Sequence, residues 1–380
     1  MRIAVIGGGP GGLLFARLAK RANPAHQVDV FEQNPANATY GFGVVLADVA
    51  LNILDGVDRK LRERIAERAE FQDRITLVHK GTAIDLKGNA FLGIARVTLL
   101  QVMQDNAEAA GARLHFQAPV GSLREMGGYD MIVGADGINS AVRTSLNEHF
   151  QATKEARLNK WVWYATPKRL DAVGLIFQDS PFGTFIAHSY RFSPELGTFV
   201  IECSEDTWRR AGLDRADDAG SKSICDGIFK DFLGGAPLVS NRSLWFNPEF
   251  VTSRHWFHGN VVLIGDALKT VHPSIGSGTR MALQDAIALA AALEACGEDV
   301  RATFEMFERE RRSGAGSFQD AAMKSILWYE TVEERMHLDP VDFAYDFMMR
   351  TGRVSNERLR RLDPDFANLV EQRQRLASPA

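Results

Sequence analysis

The sequence R-I-A-V-I-G-G-G-P-G-G stands at residues 2–12 and decides the fold. Its first five residues have the pattern of a buried parallel strand and run directly into glycines with the spacing G-x-G-x-x-G. Residues 11–22 follow with a helical pattern, and residues 27–32 with the pattern of a second strand. Strand, glycine turn, helix and strand in this order predict a dinucleotide-binding βαβ unit at the start of the chain.

Each glycine of this turn has a physical task in dinucleotide binding. Gly7 permits the tight turn, Gly9 lets a pyrophosphate approach the backbone, and Gly12 lets helix and strand pack closely. Free N–H groups at the helix start then face the phosphates. Glu32 ends the second predicted strand, where its carboxylate can accept hydrogen bonds from a ribose. The predicted cofactor contacts of this segment are Gly7, Gly9, Pro10, Gly11, Gly12, Glu32 and Gln33.

Further along the chain, the same nucleotide-binding unit resumes. A helix is predicted over 98–110, strands over 113–116, 129–134 and 261–264, and a long Ala-rich helix over 281–296. Between these elements, residues 160–257 carry short alternating aromatic and β-branched runs that are separated by Pro, Gly and Ser turns. This pattern predicts a mainly antiparallel sheet inserted into the first unit.

Composition excludes several classes of protein. The chain has 380 residues, 45% hydrophobic and 24% charged, which suits a globular protein with a sizeable core. A net charge of −4 without any basic block argues against a nucleic-acid surface. The longest apolar stretch, residues 287–293, is far too short to cross a bilayer, and no leader pattern precedes the first strand. The three cysteines are widely spaced and lie near no histidine cluster. We therefore expect a cytoplasmic protein without disulfides or metals.

Two further segments place glycines and carboxylates after predicted strands. Residues 130–143 read D-M-I-V-G-A-D-G-I-N-S-A-V-R, and residues 265–286 read G-D-A-L-K-T-V-H-P-S-I-G-S-G-T-R-M-A-L-Q-D-A. Together with the N-terminal glycines, these runs resemble the three fingerprint motifs of the group A flavoprotein monooxygenases, the family of para-hydroxybenzoate hydroxylase. The resemblance spans roughly residues 1–330. Three motifs in this order are far more specific than any one of them.

The resemblance implies FAD as the bound cofactor. Because no second G-x-G-x-x-G follows, NADH or NADPH is expected as a transient electron donor. In the family, Asp136 and Gly137 would serve FAD and the donor, with Arg143 nearby, and Asp266 would contact the ribityl chain. Amides around the two glycines of the third motif would stabilise negative charge on the reduced flavin. Arg96 matches an arginine that contacts FAD in many relatives, with a solvated helix start as its alternative. The resemblance thus adds Arg96, Asp136, Gly137, Asp266, Gly276, Gly278 and Thr279 to the predicted cofactor contacts.

The resemblance also implies the architecture. We expect an α/β protein with a Rossmann-like FAD-binding domain, an inserted mainly antiparallel β-sheet substrate domain and a helical C-terminal part. The predicted FAD-binding domain is discontinuous, because the substrate domain is inserted into it. The predicted boundaries are 1–72, 96–156 and 254–330 for the FAD-binding domain, 73–95 and 157–253 for the substrate domain, and 331–380 for the helical tail.

The third motif departs from the family at three positions. The family commonly reads G-D-A-A-H, whereas this chain has Leu268 and Lys269 in place of the Ala and the His. Arg280 stands where an Asn is common. The carboxylate, the Pro at 273 and both glycines remain, so the FAD assignment holds. The family's proton-handling steps do not transfer in detail.

The chemistry that the resemblance implies begins with reduction of FAD by NAD(P)H. Reduced flavin then reacts with O2 to a flavin hydroperoxide, whose distal oxygen passes to an aromatic ring activated by a hydroxyl or amino group. The protein must position the ring and exclude water. His272 and Pro273 on the presumed flavin loop are the candidate catalytic residues. His272 would bind substrate or assist proton exchange, unless it is a structural loop histidine.

The substrate wall is expected on the inserted sheet. Strand alternation can place Trp163, His188 and Tyr190 on the face toward the flavin, with core packing as the alternative for each. Three basic residues are candidates for binding the phosphates of a substrate that carries them: Lys160, Lys168 and Arg169. For each of them, an ordinary solvated position on the protein surface is an equally good explanation.

Several segments look like one subgroup of this family. They are Y-G-F-G-V-V-L at 40–46, W-Y-A-T at 163–166, F-I-A-H at 185–188, F-V-I-E-C-S-E at 199–205, S-I-G-S-G-T at 274–279 and T-V-E-E-R-M at 331–336. The subgroup contains salicylyl-CoA hydroxylase, the monooxygenase half of 2-aminobenzoyl-CoA monooxygenase/reductase and the violacein-pathway hydroxylase. Its members hydroxylate an aryl-CoA thioester or an indole-type ring. We therefore expect the substrate to be an aryl-CoA thioester, with salicylyl-CoA as the first candidate. The enzyme would hydroxylate its ring at position 5, para to the existing hydroxyl group.

Other functions stay open at this point. An indole or tryptophan-derived substrate, or a free aromatic acid, is the alternative within the same chemistry. A flavin-dependent halogenase, prompted by the W-x-W before Pro167, would require chloride. A non-enzymatic FAD-binding redox module would oxidise no NAD(P)H, and a plain flavin dehydrogenase would transfer no oxygen from O2. Neither nucleic acid nor membrane is expected as a partner, and both a monomer and a homodimer are compatible with the tail.

Overall fold

The computed structural model describes residues 1–38, 41–271 and 276–377. Its strands are β1 (Arg2–Ile6), β2 (Gln27–Phe31), β3 (Gly43–Ala47), β4 (Glu70–Gln72), β5 (Ile75–His79), β6 (Thr82–Leu86), β7 (Phe91–Ala95), β8 (Arg113–His115), β9 (Met131–Gly134), β10 (Ala152–Ala156), β11 (Lys160–Thr166), β12 (Val173–Ser180), β13 (Gly183–Arg191), β14 (Gly197–Cys203), β15 (Glu249–Ser253), β16 (Phe257–His258) and β17 (Val261–Leu263).

Its helices are α1 (Pro10–Ala22), α2 (Asp48–Leu51), α3 (Arg59–Ala66), α4 (Arg96–Glu108), α5 (Ala141–Ser145), α6 (Asn147–Phe150), α7 (Glu205–Arg210), α8 (Asp218–Ile228), α9 (Lys230–Leu233), α10 (Gly278–Cys296), α11 (Val300–Glu330), α12 (Pro340–Met349), α13 (Asn356–Leu362) and α14 (Pro364–Ala377). No helix in the described part of the chain is long and apolar enough to span a bilayer.

The first sheet has the order β16-β17-β9-β1-β2-β8. All its pairs are parallel except β16 with β17. β1 is central, with β2 on one side and β9 on the other, so the direction of chain progression reverses beside β1. In open parallel sheets, a ligand crevice forms at such a reversal, outside the carboxyl ends of the strands.

Helix α1 connects β1 to β2 and begins at Pro10, one residue before the predicted start. Gly9 is its N-cap and Pro10 its first residue, a position where the fixed φ of proline suits the helix. Lys20 and Arg21 lie in the last turn, where cations interact favourably with the negative end of the helix dipole. Residues 11–16 are buried between the sheet and helices α4 and α10.

The second sheet has the order β11-β14-β13-β12-β5-β6 and is antiparallel except for the β12–β5 pair. One face packs on α8 and α9 through an apolar cluster that includes Tyr164, Phe185 and Phe229. The other face packs on the C-terminal helices through a cluster that includes Phe177 and Trp328. A three-stranded sheet, β3-β7-β4, and a ribbon of β10 with β15 complete the strands.

The architecture predicted from the sequence is confirmed, with a Rossmann-like sheet, a largely antiparallel second sheet and a helical C-terminal part. One stretch differs, because residues 205–233 form helices α7 to α9 instead of strands. Ser204 caps α7 by accepting a hydrogen bond from the N–H of Thr207, and Asp217 caps α8 in the same way from Gly220. The domain boundaries stay a prediction, and the pairing of β7 with β3 and of β10 with β15 joins the two predicted domains.

Candidate active site

A cavity opens at the carboxyl ends of β1, β9 and β17, where the sheet order reverses. Backbone and small side chains dominate its wall, with one guanidinium and one carboxylate. The lining residues are Gly9, Pro10, Gly11, Val44, Arg96, Leu99, Leu100, Ala135, Gly137, Ile264, Gly265, Asp266, Gly278, Thr279 and Ala282. All three glycine-rich segments predicted to bind the cofactor therefore meet at one cavity.

The first glycine loop has the geometry that the sequence predicts. Gly7 has a φ of +109°, and a Cβ there would stand 2.3 Å from the carbonyl oxygen of Ala135. A Cβ on Gly12 would stand 2.3 Å from the carbonyl oxygen of Gly7. Gly9 differs, because no atom lies within 4 Å of the place where its Cβ would be. The loop is tight on the side of the protein and open at Gly9, as the approach of a pyrophosphate requires.

Glu32 is held in place beside this loop. Its Oε2 accepts a hydrogen bond from the N–H of Gly8 at 2.8 Å, and its Oε1 accepts bonds from the backbone N–H and side-chain amide of Asn34 at 2.8 and 2.7 Å. Each carboxylate oxygen can accept a further bond, so the predicted ribose contact stays a prediction with suitable geometry. Gln33 is exposed.

Asp136 organises the turn of the second motif. Its carboxylate accepts hydrogen bonds from the hydroxyl of Ser140 at 2.5 Å and from the N–H groups of Ala141 and Val142 at 2.7 and 3.2 Å. Burial raises the pKa of this carboxyl, and the same three hydrogen bonds oppose the shift. The neighbouring Gly137 lines the cavity with a φ of +77°.

Arg143 joins the second motif to the third. Its side chain is buried, and it donates to the carbonyl oxygens of Ala267 at 2.9 Å and Ile138 at 2.5 Å. Burial lowers the pKa of this guanidinium, while the charge of Asp136 opposes that effect. Arg143, predicted to lie near the cofactor, therefore connects the loops of the second and third motifs through hydrogen bonds.

Asp266 and Arg96 are the charged residues of the cavity wall. The Asp266 side chain is exposed to the cavity, but the walls of the cavity enclose it and limit its contact with bulk water. This partial removal from water raises the pKa of the Asp266 carboxyl, and the positive charges of Arg96 and Lys269 oppose the shift. Arg96 begins α4, and its N–H donates to the carbonyl oxygen of Phe42. Both side chains lie where the resemblance predicts cofactor contacts.

The departures in the third motif have a structural explanation. Lys269 is buried and places its Nζ 2.7 Å from the carboxylate of Asp285 on α10, whose other oxygen lies 2.9 Å from Nε of Arg311. The same carboxylate accepts the N–H of Gly265 at 3.1 Å. The ammonium of Lys269 also lies 4.3 Å from the ring centre of Trp256. The lysine that replaces the usual histidine therefore belongs to a buried ion cluster beneath the cavity.

The start of α10 forms one side of the cavity. Gly278 and Thr279 line it, so the positive end of a 19-residue helix opens onto the cavity. Gly276, just before the helix, has a φ of +57°. The predicted catalytic residues His272 and Pro273 lie outside the described residues.

The three predicted substrate residues share one face of the second sheet. Trp163 and His188 both pair in register with Val200, one from each side. The indole of Trp163 lies 3.8 Å from where a Cβ of Gly41 would stand, beside the loop that leads into β3. Its buried N–H has no acceptor in the part of the chain that is described.

His188 belongs to a buried polar group that the sequence did not suggest. Its Nε2 lies 3.0 Å from Oε2 of Glu202, and the amide of Asn159 donates to Oε1 of the same carboxylate at 2.7 Å. The imidazole stacks on Trp161 with ring centres 5.0 Å apart and lies 5.2 Å from the ring of Tyr329. The only sequence signal for Glu202 was an acidic residue inside an apolar strand.

Tyr190 is placed differently from the other two predicted substrate residues. Its side chain is buried, and its hydroxyl donates to the carbonyl oxygen of Gly43 at 2.8 Å. Burial raises the pKa of this phenol strongly. Tyr190 thus ties the second sheet to β3, and a substrate contact by its hydroxyl stays a prediction.

The candidate phosphate-binding residues lie behind the second sheet. The ammonium of Lys160 lies over the ring of Trp208 in α7, and that of Lys168 over the ring of Phe232 in α9. Arg169 is paired with Asp171. Lys160 and Lys168 contact the helical layer on the face opposite to Trp163 and His188. They are therefore poorly placed for a ligand that enters the cavity.

Comparison with known proteins agrees with this geometry. Residues 129–322 match the family described as FAD binding domain. The chain is 37% identical to salicyloyl-CoA 5-hydroxylase from Streptomyces sp over 92% of its length and 70% of that protein. It is 35% identical to protodeoxyviolaceinate monooxygenase from Chromobacterium violaceum, covering 92% of this chain and 94% of that one.

Two further comparisons extend this pattern. The chain is 32% identical to 3-hydroxy-4-methyl-anthranilyl-[aryl-carrier protein] 5-monooxygenase from Streptosporangium sibiricum, covering 87% and 89% of the two chains. The structure of 2-methyl-3-hydroxypyridine-5-carboxylic acid oxygenase superposes with a TM-score of 0.71 at 16% identity, covering 94% of this chain and 95% of that one. The last likeness concerns the fold alone.

The fold and the cavity define a flavoprotein. The open side of Gly9, the glycine-lined wall and the opposite charges of Arg96 and Asp266 fit the pyrophosphate and the hydroxyl-bearing chain of FAD. The chain belongs to the family of FAD-dependent aromatic monooxygenases. Its relatives are named hydroxylases and monooxygenases, so the halogenase, redox-module and dehydrogenase alternatives are set aside.

Proposed function

We propose that this enzyme hydroxylates the ring of an aryl-CoA thioester, with salicyloyl-CoA 5-hydroxylation as the specific reaction. The observation that carries the proposal is the 37% identity with salicyloyl-CoA 5-hydroxylase over 92% of the chain. A second relative is named for an aryl group on a carrier protein, which is also a thioester-activated aromatic acid. NADH or NADPH supplies the electrons, and O2 supplies the oxygen atom.

The cofactor side of the site follows from the cavity wall. When bound, FAD supplies the redox chemistry, accepting electrons from the nicotinamide and activating O2. The glycine loop at 7–12 would hold the pyrophosphate through its N–H groups, and Asp266 would accept hydrogen bonds from the hydroxyl-bearing chain. Arg96 and the N-terminal end of α10 would supply positive potential that favours a reduced, negatively charged cofactor.

The substrate side lies on the second sheet. Trp163 presents a flat apolar surface for an aromatic ring, and its N–H, which has no acceptor among residues 1–38, 41–271 and 276–377, is available to an oxygen of the substrate. His188, held by the buried carboxylate of Glu202, binds the ring hydroxyl and accepts its proton. Removal of that proton makes the ring more electron-rich and therefore more reactive toward an electrophilic oxygen. His272 and Pro273 remain proposed as further contributors.

A substrate panel tests this proposal. FAD-loaded enzyme is given NADH or NADPH together with salicyloyl-CoA, free salicylate, 2-aminobenzoyl-CoA or tryptophan, and both nicotinamide oxidation and peroxide release are measured. We expect fast oxidation with little peroxide only for a CoA thioester. Coupled turnover of free salicylate at the same kcat/KM as salicyloyl-CoA would contradict the thioester assignment while leaving the monooxygenase class intact.

An indole-derived substrate is the second candidate. It is favoured by the 35% identity with protodeoxyviolaceinate monooxygenase, which covers 94% of that protein. Coupled turnover confined to tryptophan or an indole compound would support it.

We also propose a cytoplasmic location, because CoA thioesters and NAD(P)H are cytoplasmic metabolites and the three cysteines are free. Both a monomer and a homodimer remain compatible with the proposal.

A further inference from the structure

Two arginines contact one aromatic ring, and one of them belongs to the first turn of α10. The guanidinium carbon of Arg353 lies 4.2 Å from the ring centre of Phe318, and that of Arg280 lies 5.3 Å from the same centre. Arg280 is on the first turn of α10, directly after Thr279 in the cavity wall. Arg353 lies between α12 and α13, so the C-terminal part of the chain reaches the start of α10.

Neither arginine has an acidic partner among the described residues. Arg280 forms no ion pair there, and its Nε is buried without a hydrogen-bond acceptor. In the described part of the chain, the guanidinium of Arg353 donates to the carbonyl oxygen and hydroxyl of Ser317 alone, at 3.4 and 3.0 Å. By contrast, Arg373 on the nearby α14 contacts the carboxylates of both Asp339 and Asp342.

The local charge balance is therefore positive. Burial lowers the pKa of Arg280, and the positive charges of Arg353 and Arg311 lower it further. Arg311 is compensated by Asp285 through Nε, but its buried Nη2 has no partner in the described part of the chain. Like charges held together at a partly buried site cost free energy unless an anion joins them.

We propose that Arg280 and Arg353, held against Phe318, bind the phosphate groups of a nucleotide ligand at the mouth of the cavity. Two such ligands enter this site, namely the CoA part of the aryl thioester and the NAD(P)H donor, and both carry a pyrophosphate. For the CoA thioester, this inference rests on the proposed function. Guanidinium groups suit this role because they donate two parallel hydrogen bonds to phosphate oxygens.

The position of the cluster agrees with the shape of a CoA thioester. The reacting ring must lie inside, against the flavin, whereas the nucleotide is joined to it through the long pantetheine arm. Phosphate contacts are therefore expected outside the cavity, and Arg280 directly follows Thr279 of the cavity wall without lining the cavity itself. Lys160 and Lys168, which contact the far side of the second sheet, have no such position.

The test uses Arg280→Gln and Arg353→Gln, with Arg361→Gln as the matched control. Arg361 is an exposed arginine of α13 that is paired with Glu357. FAD content and thermal unfolding establish that each variant is folded. KM is then measured for salicyloyl-CoA, for NAD(P)H, and for salicyloyl-pantetheine, which carries the same aryl thioester but no phosphate.

We expect each cluster variant to raise KM for one phosphate-bearing ligand by about 10- to 100-fold, the effect of losing a charge-assisted hydrogen bond. A rise for salicyloyl-CoA alone identifies the substrate as the ligand, and a rise for NAD(P)H alone identifies the donor. In the first case, KM for salicyloyl-pantetheine stays at the wild-type value. Arg361→Gln leaves every KM unchanged.

Unchanged KM values for both nucleotides in both cluster variants would overturn the inference. So would an equal rise for salicyloyl-pantetheine, because that ligand has no phosphate. If the wild-type enzyme hydroxylates no CoA thioester, the proposed function fails by itself. Calorimetric titration of the FAD-loaded wild type and variants with CoA and with NADPH then decides the phosphate site, and equal affinities in all of them would remove it.

Discussion

Replacing Asp285 by Asn tests whether the buried ion cluster supports the cofactor cavity. The carboxylate is fully buried and contacts Lys269 at 2.7 Å, Arg311 at 2.9 Å and the N–H of Gly265 at 3.1 Å. Asparagine keeps the size of the side chain and removes its charge. Lys269, only 3% exposed, would then lose the one carboxylate that it contacts among the described residues.

The magnitude follows from the burial of the partners. Removing one member of a buried ion pair costs about 3–5 kcal/mol, because the remaining charge is left uncompensated. We expect Asp285→Asn to lower the free energy of unfolding by about 4 kcal/mol within this range. FAD affinity should fall as well, because the N–H of Gly265, in the cavity wall, loses its charged acceptor.

The pH dependence of the loss identifies the uncompensated group. Burial already lowers the pKa of Lys269, and the charge of Asp285 opposes that shift. Without Asp285, the folded pKa falls further, while the unfolded lysine keeps its ordinary value near 10.4. Between the folded pKa of Lys269 in the variant and that in the wild type, only the variant has lost the proton on folding, so the stability of the variant rises with pH relative to the wild type, by up to about 1.4 kcal/mol per unit. The deficit of Asp285→Asn should therefore shrink from pH 7 toward pH 9.

Urea unfolding at fixed FAD concentration, followed at pH 7 and pH 9, measures both effects. Asp105→Asn is the control, because Asp105 pairs with Arg64 at an exposed position and its loss should cost about 0–1 kcal/mol. A loss for Asp285→Asn as small as that of the control would refute the reasoning. A deficit that grows between pH 7 and pH 9 would show that Lys269 is not the uncompensated cation.

Three further predictions concern the glycine loop and the second sheet. Gly9→Ala should leave the melting temperature of the FAD-free protein unchanged, because its Cβ meets only open space, but it should lower FAD affinity about tenfold or more, because the Cβ occupies the space for the pyrophosphate. Gly12→Ala, by contrast, should not fold. Equal FAD affinity of Gly9→Ala and wild type in a fluorescence titration would contradict the first expectation. Tyr190→Phe should lower the free energy of unfolding in urea by about 1–3 kcal/mol, because the carbonyl of Gly43 loses its buried hydrogen-bond donor. A drop in kcat/KM without this loss of stability would instead assign the Tyr190 hydroxyl to substrate binding. His188→Gln should lower kcat about 100-fold or more and divert NAD(P)H oxidation to peroxide, which a peroxide assay detects; unchanged coupling would remove His188 from proton transfer.

The sequence predicted the parts of the fold that depend on local constraints. The turn at Gly7 requires a positive φ, and Gly12 requires the absence of a Cβ, so neighbouring residues alone reveal strand, turn and helix. The same holds for the other two glycine-rich segments, which the structure brings to one cavity. The helices at 205–233 were missed although Ser204 and Asp217 are ordinary N-cap residues, because the aromatic alternation around them favoured strands.

The site was harder to predict where it depends on distant partners. His188 and Glu202 lie on adjacent strands, and nothing near either residue in the sequence indicates that they pair. Lys269 differs from the family pattern, and only the packing of α10 and α11 shows that Asp285 and Arg311 compensate it. The hydroxyl of Tyr190 likewise bonds to Gly43, far away in the sequence. Such contacts follow from the tertiary fold and not from a local pattern.

Incubation of FAD-loaded enzyme with salicyloyl-CoA, NAD(P)H and isotope-labelled dioxygen tests the central claim most directly. Mass analysis of the thioester product measures both the added hydroxyl and the origin of its oxygen. Aryl-CoA monooxygenation predicts one labelled oxygen atom on the ring, in the position para to the existing hydroxyl, with no such product from free salicylate. A thioester recovered without labelled oxygen, while NAD(P)H is consumed, would contradict the claim.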